Sequence, residues 1–535
     1  PESALSPTVL DFLRKSLDHC CHKDEGLPND WPSRMLRITE HGTVALVDFQ
    51  TDMARQYAAL SYCWGSPEEL SRHPPLRATA AVVPALRNGI DANQLPRTIE
   101  QAVTVCVHLG IQYIWVDALC ILQDDPADWE KESTKMATIY SEAMVTIIAA
   151  SSTSCHSGFL DMDMGGTVLD VPQTSDSSVN MVRRLASNRG FHKDIFGPTP
   201  DRAQDPIDSR GWTLQEQVLS TRYIKFTEND VQWECRCNMS CLCTQRPRLS
   251  PFVRLGPRQW HDIPGHFNHR KFTLTSDKLR ALSGLAKAAQ RTTLGDVYLA
   301  GMWKMMLLDT KTYTGQLYWR CKAGAPAPCY DIYIAPSFCW ASVPSTLTNE
   351  TMDWGILTSA GEAELIATPV ESYLIQLLCK VIDAGTVPLS ANDPLGPVTD
   401  GFLTLHAPLV PCMISSLDGK DFDVTSTSAF DFSVDPFFCR FDCVVAQVEV
   451  PGGGFTVTRS RHRQAFDATE ATIALLRTVS EENEIGSPTV GVEGLILGRC
   501  VGRDGYQRLG YIQIKPPGDI DAIDWSERER EITVF

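Results

Sequence analysis

The 535-residue sequence lacks any apolar run that could cross a lipid bilayer. Its longest apolar stretches, 143–150 and 373–378, fall well short of the ~20 residues that a spanning helix needs. Residues 1–17 lack the continuous apolar segment of a secretory signal, because Asp11, Arg14 and Lys15 interrupt their few apolar side chains. We therefore expect a cytoplasmic protein with no membrane partner.

Basic residues are scarce. The sequence has 48 Lys and Arg against 65 Asp and Glu, which gives a formal net charge of −17, and no run of Lys and Arg offsets it locally. A phosphate backbone would be repelled by that field. We therefore expect no nucleic-acid partner.

Cysteine is too infrequent for a disulfide scaffold, with 18 residues that lie mostly in apolar segments, so reduced and buried thiols are expected. A hydrophobic content of 43% and a charged content of 21% exclude a disordered chain. At roughly 150 residues per domain, the length predicts three or four units, or two large ones.

Several catalytic motifs are missing. The sequence contains no G-x-S-x-G nucleophile elbow, no H-E-x-x-H zinc motif, no Walker phosphate loop and no G-x-G-x-x-G turn. These absences disfavour an α/β-hydrolase and a motor NTPase.

Residues 57–152 alternate between buried strands and helices. Apolar runs at 58–63, 111–116 and 144–150 predict strands that are covered on both faces. A helix that opens at Leu95 and Pro96 and closes at Gly110 lies between the first two, and a helix over 126–143 lies between the last two. This order predicts an open, doubly wound parallel sheet in an α/β domain.

Ligands of such sheets bind at the carboxyl ends of the strands. Asp117 ends a strand there, so it could orient a substrate hydroxyl or a catalytic partner, or it could cap a loop amide. Residues at or near the strand ends are the candidate substrate-binding set: Ser61, Tyr62, Trp64, Cys120, Ser151 and Trp212.

Glu132 falls on the apolar face of the helix over 126–143, together with Trp129, Met136 and Tyr140. A carboxylate there must be neutralised or paired, which makes it either a catalytic candidate or half of a structural ion pair. Arg210 is the natural cation for Glu132 or Asp117. The candidate catalytic residues are therefore Glu132, Asp117 and Arg210. Thr213 and Glu216 match a capping box, which accounts for Glu216 structurally.

A cysteine cluster occupies 235–243. If 238–240 is a hairpin turn, the thiols of Cys235, Cys237, Cys241 and Cys243 share one face that a tetrahedral zinc ion could use. The usual C-x-x-C spacing is missing, so reduced thiols or one labile disulfide are favoured over zinc.

After residue 220 the chain becomes rich in strands. Short strands are predicted at 222–226 and 231–235, helices at 276–288 and 294–308, and further strands at 332–343, 373–381, 402–411, 443–450, 492–500 and 506–514. The predicted organisation is an N-terminal extension over 1–56, an α/β domain over 57–220, and a β-rich region over 221–535 with two or more helices.

These segments together resemble the fungal heterokaryon incompatibility (HET) domain family. Residues 57–65 (YAALSYCWG) resemble the family's opening strand, and residues 95–99 resemble its helix start. Its central signature is similar to 113–121 (YIWVDALCI) continued by Trp129, Glu132, Met136, Ile139 and Tyr140. Its last motif is similar to 210–216 (RGWTLQE), and 336–342 (PSFCWAS) resembles a motif common in the C-terminal halves of these proteins.

The resemblance implies non-self recognition and regulated cell death after fusion of unlike hyphae. It also implies a Toll/interleukin-receptor-like or flavodoxin-like fold. Some Toll/interleukin-receptor domains cleave NAD with a helix glutamate, and by that analogy Glu132 would be the catalytic carboxylate, with Tyr62 and Trp64 lining the nucleotide site.

Three functions follow. The first is a HET protein that binds a small molecule or nucleotide in the strand-end crevice and hydrolyses NAD with a carboxylate. The second is a stand-alone tailoring enzyme of secondary metabolism that acts on a small organic substrate. The third is a non-catalytic interaction module. A protein partner or a homo-oligomer is compatible with each of them.

Overall fold

The computed structural model describes most of the chain. The described residues are 4–20, 30–39, 42–161, 167–170, 180–183, 205–228, 230–242, 248–249, 257–268, 270–290, 295–308, 315–321, 327–344, 347–348, 373–416, 418, 422–427, 433–442, 444–450, 455–462, 464–482, 488–515 and 523–535. The chain divides into two compact units. The first is Pro1–Leu255 with Arg270–Phe272, and the second is Gly256–His269 with Thr273–Phe535.

The first unit combines helices with one large sheet. Its helices are α1 (Pro7–Asp18), α2 (Pro67–Arg72), α3 (Val83–Asn88), α4 (Arg97–Leu109), α5 (Asp117–Cys120), α6 (Pro126–Ser133), α7 (Met136–Glu142) and α8 (Trp212–Leu219). Its strands are β1 (Arg34–Ile38), β2 (Thr43–Asp48), β3 (Tyr57–Ser61), β4 (Ile90–Asp91), β5 (Tyr113–Trp115), β6 (Val145–Ala149), β7 (Thr167–Asp170), β8 (Asn180–Arg183), β9 (Arg222–Phe226), β10 (Val231–Cys235), β11 (Asn238–Cys241) and β12 (Arg248–Leu249).

The sheet of the first unit is mixed rather than fully parallel. Its order is β12-β11-β10-β9-β6-β3-β5-β1-β2-β4. The four central strands β5, β3, β6 and β9 are parallel, whereas the strands on both flanks are antiparallel. The α/β core is therefore as expected, but the expected all-parallel sheet is wrong, because hairpins extend it on both sides.

The parallel centre has the burial that its sequence predicts. Every residue of β3 and β6 is buried, as expected of strands covered on both faces. Helix α4 ends at Gly110, which has a positive φ of 73° and donates its backbone N–H to Cys106 O and Val107 O.

Strand order determines where a ligand site can form. The chain runs from β3 to β5 on one side and then crosses to β6 on the other side of β3. Side chains that follow β3 and β5 are brought together because these strands are parallel neighbours, and they lie beside the point between β3 and β6 where the strand order reverses, which is where open α/β sheets bind ligands.

The boundaries expected at residues 56 and 220 differ from those of the compact units. Strands β1 and β2, within the expected N-terminal extension, pair into the sheet next to β5. Strands β9 to β12, from the expected β-rich region, continue the same sheet beyond β6. Hydrogen bonds between neighbouring strands extend the sheet of the first unit on both sides. The amino-acid composition gives little indication of such pairing.

The second unit is built mainly of strands. Its helices are α9 (Pro257–Asn268) and α10 (Asp277–Gln290). Its strands are β13 (Arg320–Cys321), β14 (Leu347–Thr348), β15 (Tyr373–Leu377), β16 (Lys380–Pro388), β17 (Val398–Ser416), β18 (Asp423–Ser426), β19 (Ser433–Phe441), β20 (Val445–Glu449), β21 (Phe455–Arg459), β22 (Phe466–Glu482), β23 (Pro488–Arg499), β24 (Tyr506–Lys515) and β25 (Glu529–Val534).

The main sheet of the second unit runs in the order β15-β22-β23-β24-β25-β17-β16. Because β17 also pairs with β22, the pairings from β22 through β23, β24 and β25 to β17 form a closed ring. Two predicted elements differ: 294–308 contains a short 3₁₀ turn at Lys304–Met306 where a helix was expected, and 332–343 contains one at Trp340–Ser342 where a strand was expected. No helix in the described ranges is both long and apolar enough to span a membrane.

A three-residue segment, Arg270–Phe272, belongs to the first unit although the residues around it belong to the second. Lys271 N donates to Ser209 O at 2.6 Å, and Gly211 N donates to Lys271 O at 2.9 Å. A Cβ atom at Gly211 would lie 2.1 Å from the Phe272 ring. The absence of a side chain at Gly211 therefore allows this segment to pair with the chain around Arg210.

We predict that Gly211→Ala lowers the free energy of unfolding by about 1–3 kcal/mol, because the new methyl group overlaps the Phe272 ring. The Gly211 backbone, with φ −59° and ψ −50°, tolerates alanine, so the cost is steric. Urea unfolding of Gly211→Ala in the wild type and in a Phe272→Ala background measures it. The cost should largely disappear in the second background, and an equal cost in both would contradict the prediction.

Candidate functional site

Trp64 and Asp117, which follow β3 and β5, are in direct contact. Trp64 Nε1 donates to Asp117 Oδ2 at 2.8 Å. The backbone N–H of Ala118 donates to Asp117 Oδ1 at 2.7 Å. Both carboxylate oxygens are therefore held in place at the strand ends, and the strand order accounts for the contact.

Arg210 completes this group. Its Nη1 donates to Tyr62 O at 2.5 Å, and its Nη2 lies 3.5 Å from Asp117 Oδ2. The guanidinium carbon is 5.7 Å from the centroid of the Trp64 ring. The Arg210 and Asp117 side chains are 25% and 13% exposed, so this ion pair is open to solvent. We call Tyr62, Trp64, Asp117 and Arg210 the strand-end cluster.

Glu216 lies behind the strand-end cluster and is 1% exposed. Burial raises the pKa of its carboxyl to about 7, with Asp117 acting in the same direction and Arg210 against it. The hydroxyl groups of Ser61 and Tyr140 lie close enough to lower the pKa again in part, but the Oε2 atom accepts no hydrogen bond. A buried carboxylate oxygen that accepts no hydrogen bond favours the protonated form of the group.

The capping-box interpretation of Glu216 is wrong. Helix α8 begins at Trp212, and no side chain caps its first turn. Thr213 lies inside the helix, where its hydroxyl donates to Ile207 O at 2.7 Å and to Arg210 O at 2.8 Å. Because the helix starts two residues earlier than a capping box requires, the Glu216 side chain reaches the strand ends instead of the helix N-terminus.

A second group of buried charges lies next to Glu216. Arg270 Nη1 donates to Arg210 O at 3.0 Å and to Thr213 Oγ1 at 2.7 Å. Burial lowers the pKa of Arg270, while Asp208 and Glu216 act against that shift. Lys225 Nζ lies 3.0 Å from Asp205 and 3.8 Å from Asp208.

The charges of these residues balance when Glu216 is protonated. In this part of the described structure, the cations Arg210, Arg270 and Lys225 face the carboxylates of Asp117, Asp205 and Asp208. An ionised Glu216 would add one buried negative charge without a matching cation. The charge balance therefore agrees with the raised pKa of Glu216.

Aromatic rings lie beside the strand-end cluster. Trp129 and Trp212 meet edge to face, with ring centroids 6.3 Å apart. Trp64, Trp129 and Trp212 are each half-buried against the core. Such rings offer flat faces on which a base could stack.

The other predicted binding residues lie deeper or at the sheet. Cys120 is buried, and burial raises the pKa of its thiol to about 12, so it carries no thiolate. The backbone N–H of Ser151 donates to Phe226 O at 3.1 Å, so Ser151 continues the pairing of β6 with β9. Cys120 lies in α5 together with Asp117, whose charge also raises the pKa of the thiol.

Glu132 is fully buried, as its position on the apolar face predicts. Its cation is Lys135 and not Arg210: Lys135 Nζ lies 2.8 Å from Glu132 Oε1. Ser33 also binds it, through its backbone N–H at 2.9 Å and its hydroxyl at 2.6 Å. The predicted single helix is broken between α6 and α7, and Lys135 meets Glu132 at the i,i+3 spacing of helix neighbours.

The cysteine cluster does not have the expected geometry. Cys241 lies opposite Gln232, which places the hairpin turn at 236–237. Cys235 is three positions after Gln232, so strand alternation puts Cys235 and Cys241 on opposite faces. Cys235 and Cys237 are reduced, Cys241 is disulfide-bonded, and Cys243 lies outside the described residues. Within those residues, no group of three or more His, Cys, Asp or Glu could hold a metal ion.

Residues 57–216 match the family model for the heterokaryon incompatibility protein (HET). We call this matched segment, 57–216, the HET domain. Neither a curated protein nor a solved structure matches the chain. The family resemblance predicted from the sequence is thereby confirmed.

The HET match covers the strand-end cluster and ends at Glu216. Arg270 and Lys225 lie outside the match, and tertiary contacts bring them to the same site. The sequence analysis missed Glu216 as a site residue and did not single out Arg270. The only available signal for Glu216 was its place in the last HET motif, since the spacing of Thr213 and Glu216 indicated a cap.

We predict that Glu132→Ala destabilises the HET domain by roughly 3 kcal/mol, because it leaves the Lys135 ammonium and the Ser33 N–H without their acceptor. Urea unfolding measures the change. Glu130→Ala is the matched control: Glu130 is exposed on the same helix, and its removal should cost less than about 0.5 kcal/mol. A Glu132→Ala protein as stable as the control would show that the ion pair contributes little.

We also predict that Glu216→Gln removes a pH dependence of stability. The folded-state pKa of about 7 lies above the ordinary value of 4.5, so the folded wild type binds this proton more tightly than the unfolded chain and loses stability as the pH rises from 4.5 to 7. The difference between the two unfolding free energies, Glu216→Gln minus wild type, should therefore rise by about 3 kcal/mol from pH 4.5 to 8.

Urea unfolding at intervals of one pH unit tests this, with Glu130→Gln as the exposed control. A difference between Glu216→Gln and wild type that stays constant with pH would show that Glu216 is ionised throughout.

Proposed function

We propose that the HET domain binds a nucleotide at the strand-end cluster and hydrolyses its N-glycosidic bond, with NAD as the substrate. The observation that supports this most directly is the solvent-open pair of Asp117 and Arg210. These two side chains place a carboxylate and a guanidinium together at the carboxyl ends of the neighbouring parallel strands β3 and β5.

Arg210 supplies the site for the anionic part of NAD. One of its guanidinium nitrogens is held by Tyr62 O, and the other makes a long contact of 3.5 Å with Asp117. The weakly engaged Nη2 group can donate to a diphosphate oxygen at little cost. The faces of Trp64 and Trp212 offer stacking surfaces for the bases.

Asp117 acts as the base in the proposed reaction. Water attacks C1′ of the ribosyl group, the bond from C1′ to the nicotinamide nitrogen breaks, and its electron pair neutralises the pyridinium. The proton of the water passes to the Asp117 carboxylate and is then released, which leaves ADP-ribose and nicotinamide. Because the leaving group departs without a proton, one exposed carboxylate is enough, in contrast to the pair that ordinary glycosidases use.

Glu216 sets the charge that a bound diphosphate meets. While Glu216 is protonated, the positive charge of Arg210 is opposed by Asp117 alone within the strand-end cluster. Ionisation of Glu216 above pH 7 adds a buried negative charge behind Arg210. Substrate affinity should therefore fall as the pH rises through 7.

The HET domain gives this reaction its proposed biological context. Depletion of NAD after the fusion of unlike hyphae would cause the regulated cell death that the family resemblance implies. The tailoring enzyme of secondary metabolism and the interaction module have no comparable support in the strand-end cluster.

Incubation of the purified full chain with NAD tests the proposal, with nicotinamide and ADP-ribose separated by chromatography. We predict that the wild type releases both and that Asp117→Asn slows release by about 100-fold or more. Arg210→Gln should act mainly by raising KM, since its role is binding. Glu216→Gln should retain activity and lose the rise in KM above pH 7.

Asp124→Asn is the matched control, because Asp124 is an exposed aspartate that accepts the backbone N–H of Ala80. It should leave the rate unchanged. A wild type that releases no nicotinamide, or an Asp117→Asn variant that keeps the wild-type rate, would overturn the proposed reaction.

A further inference from the structure

The second unit contains a cavity of about 370 Å³, separate from the HET domain. This volume is in the range of small-ligand sites. Its lining comes from the segment 329–337, from Ser342, from the end of β21, from the turn between β23 and β24, and from Phe535. The lining residues are Cys329, Tyr330, Ile332, Tyr333, Ile334, Ala335, Ser337, Ser342, Thr458, Arg459, Cys500, Val501, Arg503, Gln507 and Phe535.

Large apolar side chains form part of the cavity wall although they are exposed. Ile332, Tyr333 and Val501 are each about half exposed, at 53%, 48% and 49%. Single exposed apolar residues are common on protein surfaces, but three around one cavity form a patch. The patch favours a ligand with an apolar body.

The polar part of the lining is positively charged. Arg459 and Arg503 are charged lining residues, and among the described residues of the lining there is no aspartate or glutamate. Arg503 lies 3.1 Å from Asp400, outside the lining, and its guanidinium carbon lies 3.6 Å from the centroid of the Phe535 ring. Arg503 is therefore largely neutralised, and the charge available to a ligand comes from Arg459.

Arg459 is held rigidly. Its Nε donates to Arg508 O at 2.7 Å, its Nη1 to Ser342 Oγ at 2.8 Å, and its Nη2 to Ser337 O at 2.7 Å. Its side chain is 11% exposed. These contacts leave the second N–H of Nη1 free to meet a ligand in the cavity.

Two guanidinium groups share one buried carboxylate beneath the cavity. Asp442 Oδ2 accepts from Arg508 Nε at 2.8 Å and lies 3.4 Å from Arg459 Nη2. Arg508 and Asp442 are fully buried. Burial lowers the pKa of the Arg508 guanidinium, and Arg459 lowers it further while Asp442 acts against both. The salt bridges of the described residues thus leave about one positive charge uncompensated.

We propose that this cavity binds a monoanionic organic acid with a flat apolar body. The carboxylate is placed at Arg459, where the single excess charge matches one negative charge better than the two of a phosphate monoester. The apolar body lies against Ile332, Tyr333, Val501 and the ring of Phe535.

Isothermal titration calorimetry of the full chain with 2-naphthoate tests this, and 2-naphthamide serves as a neutral probe of the same shape. We expect 2-naphthoate to bind roughly tenfold more tightly than 2-naphthamide, because Arg459 is a rigid donor in a partly desolvated site. Equal affinities, or no binding of 2-naphthoate, would overturn the proposal.

Val501→Asp distinguishes this cavity from other sites on the surface. The new carboxylate at the cavity wall should weaken 2-naphthoate binding by roughly tenfold and leave 2-naphthamide binding nearly unchanged. Val387→Asp is the control, since Val387 is similarly exposed at 54% and does not line the cavity. Equal effects of the two variants on 2-naphthoate binding would show that the acid binds elsewhere. Arg459→Lys keeps the charge and should retain more affinity than Arg459→Met.

Discussion

The Arg210 guanidinium is the group on which the candidate site of the HET domain depends. It binds the carbonyl of Tyr62 after β3, approaches Asp117 after β5 and lies near the ring of Trp64. These residues are far apart in the sequence, so one side chain joins the ends of two parallel strands to the segment that leads into α8. Backbone contacts with Arg270–Phe272 hold that segment in turn, because Gly211 leaves room for the Phe272 ring.

A partly buried guanidinium is stabilised by negative charge nearby, and the HET domain provides that charge unevenly. Asp117 is partly open to solvent, whereas Glu216 lies behind Arg210 without a hydrogen-bond partner for Oε2. Burial disfavours the ionised form of Glu216 even with Arg210 close by. The result is a site in which one carboxylate is accessible for chemistry and the other adjusts the local charge. Glu132, by contrast, has its hydrogen bonds satisfied by Ser33 and Lys135, which is typical of a structural ion pair.

The second unit also contains buried charges that do not balance, but there the excess charge is positive. In the HET domain, burial raises the pKa of the additional carboxyl group of Glu216 to about 7, and its protonation below that pH keeps the buried charges balanced. In the second unit, Arg459 and Arg508 share Asp442, and guanidinium groups do not lose their proton in water at neutral pH. A surplus positive charge beside a partly apolar cavity is therefore permanent, and an anionic ligand is the natural way to compensate it.

Local pattern determined much of the first unit. Continuous apolar runs predicted β3, β5 and β6, and the short strands β9 and β10 were predicted at their observed bounds. Periodicity also predicted that Glu132 is buried. Its cation Lys135 lies three residues on, a spacing at which side chains meet on a helix, whereas tertiary structure alone brought Ser33 to the same carboxylate. Tertiary structure also decided that the outer strands of the sheet are antiparallel, that Glu216 is buried behind the strand-end cluster, and that Arg270 contacts Arg210 and Thr213. These depend on helix starts, strand register and contacts between distant segments, for which a single sequence carries no periodic signal.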